Sequence, residues 1–512
     1  ARDRHSAHYV DAVQQWEAGL LGSRQQTTLR EMEIESENIR AAWTWAVEQS
    51  QVERLGRAME GLERFYWLSG RFRQAEVAFQ AAASACADCA ARNNGAKATC
   101  LHVWLRALIC QSEFLRALGQ RDAARRCQQQ CLAILDDPAL AGIDTRLERG
   151  KLAQTMGATD CMADYEQGRQ RFEVAYYLYR ELDYQWGMAS ALNAWSAMSM
   201  FLCDLPGAKP RAEEALAIFR ALGDLAGAAR SLRRLAQIAW LEGRLEEAEP
   251  LAREAYASSL RAGAPAEAAI GLLVLGETLE TRSKFSEAHS IARKSLALLS
   301  DLGYREYANQ AHGPLGSIAM HRGRYKEARD HAERGLSLAR EEGPRHSVGH
   351  NLLVLGCLDL AEGMHDIAHR ILNEGVAVYQ DIEQRNELSQ ALAILALADF
   401  ECKDTRATQQ HLSDSFQLAT ELGVPSPFLW ALPAMALLLA GQHENERAVE
   451  LYALAMRYPF VAKSRWFEDV VGQKIAAVAA TLTAERVAVL EERGRARDLD
   501  STVAELLAEL QS

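Results

Sequence analysis

The sequence predicts an all-α protein, an α-solenoid of helical hairpins with a period of 40 residues. Three observations predict it. A small residue early in one helix returns every forty positions, at Gly168, Ala208, Ala248, Ala288, Ala328, Ala368, Thr408 and Ala448. Leu235, Leu275, Leu315, Leu355 and Leu395 keep the same interval, each followed by Ala236, Gly276, Gly316, Gly356 or Ala396. Glycines punctuate the pattern: Gly243, Gly323 and Gly363 inside hairpins, and Gly223, Gly263, Gly303, Gly343 and Gly423 between them. A glycine just past a helix supplies the left-handed residue that closes its C-terminus. Small residues at a helix crossing let the backbones approach. One hairpin cannot bury its own apolar face, so copies must stack into a continuous core.

In chain order, residues 5–46 are helical but lie outside the repeat. Tyr9, Val13, Trp16 and Leu20 form one apolar stripe, and a second helical stretch runs from Leu29 to Glu48. Phe65-Tyr66-Trp67, Gly70-Arg71 and Ala75-Glu76 read as a first, degenerate hairpin, and a second turns at Gly119 with Ala124 as its small residue. The step from Ala75 to Ala124 is 49 residues and from Ala124 to Gly168 it is 44, so the rhythm tightens before becoming regular. Asn93-Asn94-Gly95 and Asp136-Asp137-Pro138 read as loops. Residues 228–263 give the regular unit, two amphipathic helices joined at Glu242-Gly243-Arg244. After Ala455, Met456 to Phe460 turns the chain, and Ala484 to Leu510 gives two helices hinged at Gly494 to Asp500 that cap the last repeat. The expected organisation is 1–50 N-terminal helical segment, 51–148 degenerate repeats, 149–455 regular repeats and 456–512 capping helices.

The Leu-Gly pairs, the Gly-Arg-Tyr-x-x-Ala turn from Gly323 to Ala328, and the later small residues Ala255, Ser295, Gly335 and Gly375 resemble the tetratricopeptide repeat. The resemblance covers Arg149 to Ala455 and implies a right-handed solenoid. Ordinary repeats of that family run to about 34 residues. The surplus lengthens each helix by about 4.5 Å. Glu35, Asn38, Ile39, Arg40, Ala41, Ala42 and Trp45 resemble a segment that follows the nucleotide-binding and winged-helix modules of STAND proteins (signal-transduction ATPases with numerous domains), with Ile39 in place of the usual leucine. The C-terminal helices resemble the end of such sensors. The resemblance implies a sensor and scaffold domain. An inducer, whether small molecule, peptide or protein, binds in the superhelix and relieves autoinhibition of an upstream nucleotide-binding module of the same polypeptide. The chain starts at Ala1 without an initiator methionine, and the resemblance places any output module ahead of it. The alternative is a free-standing tetratricopeptide scaffold that binds a peptide or protein partner.

Composition narrows the function classes. The net charge of −12 argues against a general nucleic-acid surface, which needs clustered Lys and Arg. No apolar run approaches the ~20 residues of a membrane span, and the start has no signal-peptide core, so a cytoplasmic protein is expected. Seven of the ten cysteines precede Arg180. Cys86-x-x-Cys89 and Cys127-x3-Cys131 have spacings that offer two thiolates from one helix face. Both lie in predicted helices without the intervening turn of a zinc site, and cysteine standing in for alanine at packed positions explains them better. His365 with His369, and His346 with His350, are four apart, with no third ligand visible in sequence. P-loop, G-x-S-x-G, H-E-x-x-H and G-x-G-x-x-G motifs are absent. The expectation is a non-enzymatic chain with no cofactor and no metal.

What remains is a binding surface. Opposite Leu235 on its helix lie Arg230, Arg233, Gln237 and Trp240, spaced 3, 4 and 3. In tetratricopeptide arrays that stripe lines the concave groove. Corresponding positions are Asn193 and Met200, then Glu277 and Glu280, then Gln310, Ser317 and Met320, then Leu353, Cys357 and Leu360, then Leu397 and Phe400. The groove is expected to be polar and cationic near its middle and apolar toward its C-terminal end. Two arrangements stay open. In one, Arg230 and Arg233 hold a carboxylate or phosphate of a ligand while Trp240 and Met200 supply apolar area. In the other, they pair with Glu277 and Glu280 of the next repeat and Trp240 fills space.

Overall fold

The computed structural model describes all residues except 93, 162–163, 343, 424–425 and 512. Asn93 of the expected loop and the expected hairpin-end glycine Gly343 therefore lie outside the described residues. Among the described residues the structure is helical throughout, with no strand. It is an α-solenoid of tetratricopeptide-like hairpins.

Three helices open the chain: α1 (Arg2–Leu20), α2 (Gln25–Ile34) and α3 (Ser36–Glu48). Three long hairpins follow, α4 (Val52–Ser69) with α5 (Phe72–Arg92), α6 (Lys97–Ala117) with α7 (Arg121–Leu135), and α8 (Arg146–Asp160) with α9 (Tyr165–Glu181). The regular array then runs α10 (Gln185–Phe201), α11 (Leu205–Leu222), α12 (Leu225–Leu241), α13 (Leu245–Ala262), α14 (Pro265–Thr281) and α15 (Phe285–Asp301). It continues through α16 (Arg305–His321), α17 (Tyr325–Glu342), α18 (Arg345–Ala361), α19 (His365–Asp381), α20 (Arg385–Glu401), α21 (Thr405–Leu422), α22 (Phe428–Gly441) and α23 (Asn445–Met456).

The period of forty resolves into two equal halves. Every twentieth residue from Asp183 to His443, wherever described, has a positive φ. Glycine holds this place at 223, 243, 263, 303, 323, 363 and 423, with φ between 65° and 78°. Asp183, Cys203, Ser283, Glu383, Lys403 and His443 hold it elsewhere, with φ between 51° and 65°. A left-handed residue costs a non-glycine about 1 kcal/mol, so the packing of the flanking helices imposes the turn at those positions. Several helices are started by an aspartate whose side chain accepts a backbone N–H, as Asp204 does from Gly207 and Asp404 from Ala407, both at 2.9 Å.

The small-residue landmarks explain the hairpin packing. Ala75, Ala124, Ala208, Ala248, Ala288, Ala328, Ala368, Thr408 and Ala448 are all completely buried. A Cβ at Gly316 would stand 3.2 Å from the Ala328 carbonyl oxygen, so a larger residue would push α16 off α17.

The chain forms two compact units, with the residues of α12 to α16 shared out between them. The first comprises Ala1–Ala236, Pro250–Leu272 and Lys294–Ala308. Within it, helices far apart in sequence meet. Gln25 Nε2 donates to Asp224 Oδ1 at 2.8 Å across 199 residues, and the Phe72 and Tyr304 rings lie 4.8 Å apart. The hairpin stack of this unit therefore curls until Tyr304 and the first residues of α16 return to α5 and α6.

The second unit comprises Gln237–Glu249, Leu273–Arg293 and Asn309–Ser512. After α23 its chain continues as α24 (Pro459–Ala462), α25 (Arg465–Phe467), a π-type turn over Glu468–Gly472, and α26 (Gln473–Ala479). It ends in α27 (Ala484–Ala496) and α28 (Leu499–Leu510). Helix α27 lies against α23, and a Cβ at Gly494 would stand 2.0 Å from the Glu450 carbonyl oxygen. The segment from Pro459 to Gly472 packs inward, with Trp466 and Phe467 fully buried.

Among the described residues no helix is long and apolar enough to cross a membrane.

Candidate functional site: the polar interior of the first unit

The ten residues of the expected groove are parted by the two units. Asn193, Met200, Arg230 and Arg233 belong to the first, and Gln237, Trp240, Glu277, Gln310, Ser317 and Met320 to the second.

In the second unit the stripe is filled by the protein itself. Met320, Cys357 and Leu360 are buried in the core that also contains Phe460, Trp466 and Phe467. Trp466 Nε1 donates to the Cys357 carbonyl oxygen at 2.7 Å, and its ring lies 5.6 Å from Trp430. His321 stacks on Phe285 with ring centroids 5.2 Å apart, and its Nδ1 is 2.7 Å from Ser464 Oγ. Burial holds His321 down to about 3, so it is neutral at ordinary pH. Ser317 Oγ lies 2.5 Å from Glu280 Oε1. The Glu280 carboxyl is pushed up to about 8, first by burial and then by the neighbouring Glu277, against the pull of the Ser317 contact. Trp240 Nε1 donates to Thr281 Oγ1 at 2.7 Å, while Gln237 and Gln310 are half-buried on α12 and α16. The C-terminal end of the expected stripe is apolar, but it is occupied interior rather than open groove.

In the first unit the interior is charged. Arg230 and Arg233 face Glu267 of α14, at 3.7 and 4.0 Å, rather than Glu277 or Glu280. Glu267 lies in the first turn of α14, ahead of both later glutamates on that helix. Arg234 points inward beside them, its Nη1 3.9 Å from Met200 Sδ. Burial first, and Arg233 second, lower its pKa to about 9, leaving it charged at neutral pH. From α6 and α7 come Arg116, ion-paired with Glu306 of α16, and Arg121, 3.9 Å from the same carboxylate. Burial works against the Arg116 charge, but Glu306 outweighs it and its pKa is raised. Arg121 is lowered, first by burial, with Arg116 adding to it. Tyr307 joins the two groups: its phenol is raised by burial while Arg233, Arg234 and Arg116 all pull it down. Arg116, Arg121, Arg233 and Arg234 are each nine-tenths or more buried. Asn193, on α10, is buried with an Oδ1 that meets no hydrogen-bond donor.

Sequence reasoning missed Arg116, Arg121, Arg234, Glu267 and Glu306. One signal was present. Glu306 stands forty and eighty residues after Ala266 and Ala226, and Glu267 forty after Gly227. Charged residues at positions otherwise small mark the helix starts where the interior changes character.

The cysteine and histidine candidates fall elsewhere. Cys86, Cys127 and Cys131 are buried free thiols in helix packing, whereas Cys89 is bonded to Cys100 of the next helix. His369 and His411 share Asp399, at 3.1 and 2.6 Å, and His365 lies 3.8 Å from Glu401. Carboxylates thus accompany the first histidine pair, contrary to its appearance in sequence. The 30-residue step from His369 to Asp399 repeats the ion pair Arg329–Asp359 of the preceding hairpin, at 2.7 Å. Among the described residues no group of three or more His, Cys, Asp and Glu side chains is arranged to hold a metal ion.

The tetratricopeptide repeat family matches residues 187–261 and 307–381, two stretches of the regular array. In fold the chain is similar to a Rap protein complexed with Competence and Sporulation Factor. The TM-score is 0.57 at 13% identity, over 72% of this chain and 99% of that one. Aspartyl phosphate phosphatase F from Bacillus subtilis aligns over 73% of this chain and 94% of its own, at 11% identity and a TM-score of 0.43, too low to argue from. None of the curated proteins matches the chain in sequence.

Proposed function

We propose that the chain is a ligand-sensing scaffold, the tetratricopeptide sensor domain of a STAND-type regulator. It binds an inducer inside the first unit and passes the change to an ATPase module of the same polypeptide. The observation that supports this most is the buried arginine cluster. Burying guanidinium–carboxylate pairs carries a desolvation cost of several kcal/mol per ion that pairing only partly offsets, and a hairpin stack that served only as architecture would be more stable with an apolar interior like that of the second unit. The segment that resembles STAND proteins has a local role consistent with its place ahead of the array. Glu35 accepts hydrogen bonds from Tyr9 and Asn38, both at 2.7 Å, and Ile39 and Ala42 are buried.

The mechanism this implies is a shift between two arrangements of the curled stack. An inducer acts only to the extent that it binds one arrangement more tightly than the other. Because α6 and α7 meet α16 across the interior, a ligand between them would bear on five hairpins together. Such a domain acts by binding, without bond-making chemistry of its own, and its ligand and its own ATPase module are its partners.

The test of the regulator assignment is the coding sequence immediately ahead of Ala1. A P-loop ATPase followed by a winged-helix module there is the expected result, and a stop or an unrelated domain would refute it. A free-standing peptide scaffold is the second reading. It rests on the hairpin fold alone, and its groove in the second unit is already taken by Phe460, Trp466 and Phe467.

A further inference from the structure

On α6, the face opposite the charged interior carries an open groove. Trp104, Leu108, Gln111 and Leu115 form one stripe along the helix, about 180° around from His102, Arg106 and Glu113. They floor a groove of about 450 Å³ walled by α5 and α7, all within the first unit. Its cause is a change of residue at two repeat positions. Gln111 stands eight residues before the turn glycine Gly119, as Leu315 does before Gly323 and Leu355 before Gly363, and both of those leucines are buried in the stack. Cys127 stands three after the small Ala124, where later hairpins carry Leu251, Ile291 and Ile371. With an amide and a thiol in place of two branched side chains, and Ala83 and Ala123 on the walls, α5 and α7 leave the stripe open between them.

The Gln111 amide is buried but only half answered. Its Nε2 donates to Glu76 Oε1 at 3.2 Å, and its Oε1 lies 3.8 Å from Cys127 Sγ. A primary amide offers two N–H donors and two lone pairs, so one of each remains at the groove floor. A stack that needed only packing there would carry leucine, which has no polar atoms to satisfy. Further amides, Gln80 on α5 and Gln120 and Gln130 on α7, stand exposed along the rims. The half-buried Trp104 and Leu108 supply apolar area on the floor. Arg126, beside Cys127, is exposed and makes no ion pair among the described residues.

We propose that this groove binds an extended peptide segment, with an apolar side chain over Trp104 and Leu108 and an acidic one at Arg126. From Trp104 to Leu115 the helix rises about 16 Å, which an extended chain covers in about five residues. A helix of that length and about 10 Å across would displace about 1,200 Å³, nearly three times the space of the groove. The side-chain amides suit an extended backbone, whose N–H and C=O groups have no partners of their own. The site lies on the other side of α6 from the charged interior and is independent of the inducer reading.

The test is binding of a positional-scanning pool of N-acetylated, C-amidated pentapeptides to the whole chain by fluorescence polarisation, each selected peptide then being titrated singly. The pool is expected to select a large apolar residue at one position and Asp or Glu at another. Trp104→Ala should weaken a selected peptide about tenfold or more. Gln111→Leu installs the residue that other hairpins carry, so it should weaken binding about tenfold while keeping or raising the melting temperature. Arg126→Gln should cost acidic peptides several-fold and leave their amide counterparts unchanged. Methylating the backbone nitrogens of a selected peptide should abolish binding. An absence of selection from the pool, or Gln111→Leu binding as tightly as the unaltered chain, overturns the proposal. Binding that appears only in longer peptides with apolar residues at helical spacing would mean a docked helix and overturns it too. None of these variants touches the charged interior, so each outcome leaves the inducer reading where it stands.

Discussion

Replacing Trp466 by alanine probes whether the second unit is closed by its own C-terminal segment. Trp466 is completely buried, its N–H is spent on the Cys357 carbonyl, and its ring packs on Trp430 and Phe467. Truncating a buried tryptophan costs about 3–5 kcal/mol. The loss falls on the contact between the Pro459–Gly472 segment and α18, so it lowers the cost of local opening there rather than of global unfolding. Cys357 reports it. Its thiol is 1% exposed and raised by burial, with Asp359 adding to it, so it reacts only when the segment lifts. Each 1.4 kcal/mol is a factor of ten, so Cys357 labelling in Trp466→Ala should accelerate by roughly two to three and a half orders of magnitude. Peptide mass mapping after timed alkylation reads this directly, with the exposed Cys402 as internal control at unchanged rate. If Cys357 of the unaltered protein is alkylated as fast as Cys402, the interior is open and the reasoning fails.

Three further outcomes follow from particular side chains. Glu280 is protonated in the folded protein up to about pH 8 but ionises near 4.5 when unfolded, so its contribution is intact at low pH and lost as the pH rises between those values. The loss is up to about 4–5 kcal/mol. Glu280→Gln should flatten the dependence of the guanidinium midpoint on pH, and parallel curves would contradict it. Asp224 accepts from Gln25, Trp186 and the Gly227 backbone, at 2.7–2.9 Å. Asp224→Ala should cost about 2–4 kcal/mol through the unanswered donors, and hydrogen exchange should rise at the start of α2 as well as at α12; a change confined to α12 would deny the long-range tie. Glu383→Gly and Lys403→Gly should be neutral to stabilising by up to about 1 kcal/mol, since each relieves a left-handed non-glycine, and a clear loss in denaturant midpoint would mean these turns are held by their side chains.

The hairpin array was legible because its causes are local. A small residue where two helices touch and a glycine where one ends can be read from one chain, and Ala248 and Gly243 fall where that reading puts them. Six of the thirteen described turns on the twenty-residue beat carried no such mark. Lys403 and His443 adopt the glycine conformation because the helices on both sides dictate it, so the twenty-residue beat is a property of position rather than residue type. Arg230 and Arg233 were correctly seen to share a face, but their partner was sought at Glu277 and Glu280. Glu267, in the first turn of α14, is the carboxylate both arginines reach. Arg116 and Glu306 are 190 residues apart. Their meeting depends on curvature summed over five hairpins, and no local pattern encodes that sum. The filling of the second unit by Trp466 was hidden for a different reason: once the period stops, an apolar segment that caps a stack and one that enters it look alike.

Hydrogen–deuterium exchange of the whole chain, alone and with whichever member of a metabolite and peptide pool raises its melting temperature, tests the sensor reading most directly. Protection is expected at the end of α6, the start of α7, Ser231–Ala236 of α12 and Tyr304–Ala308, with Pro459–Gly472 unchanged. Protection confined to Pro459–Gly472 and α18, or absent throughout, would place ligand recognition outside the arginine-lined interior and contradict it.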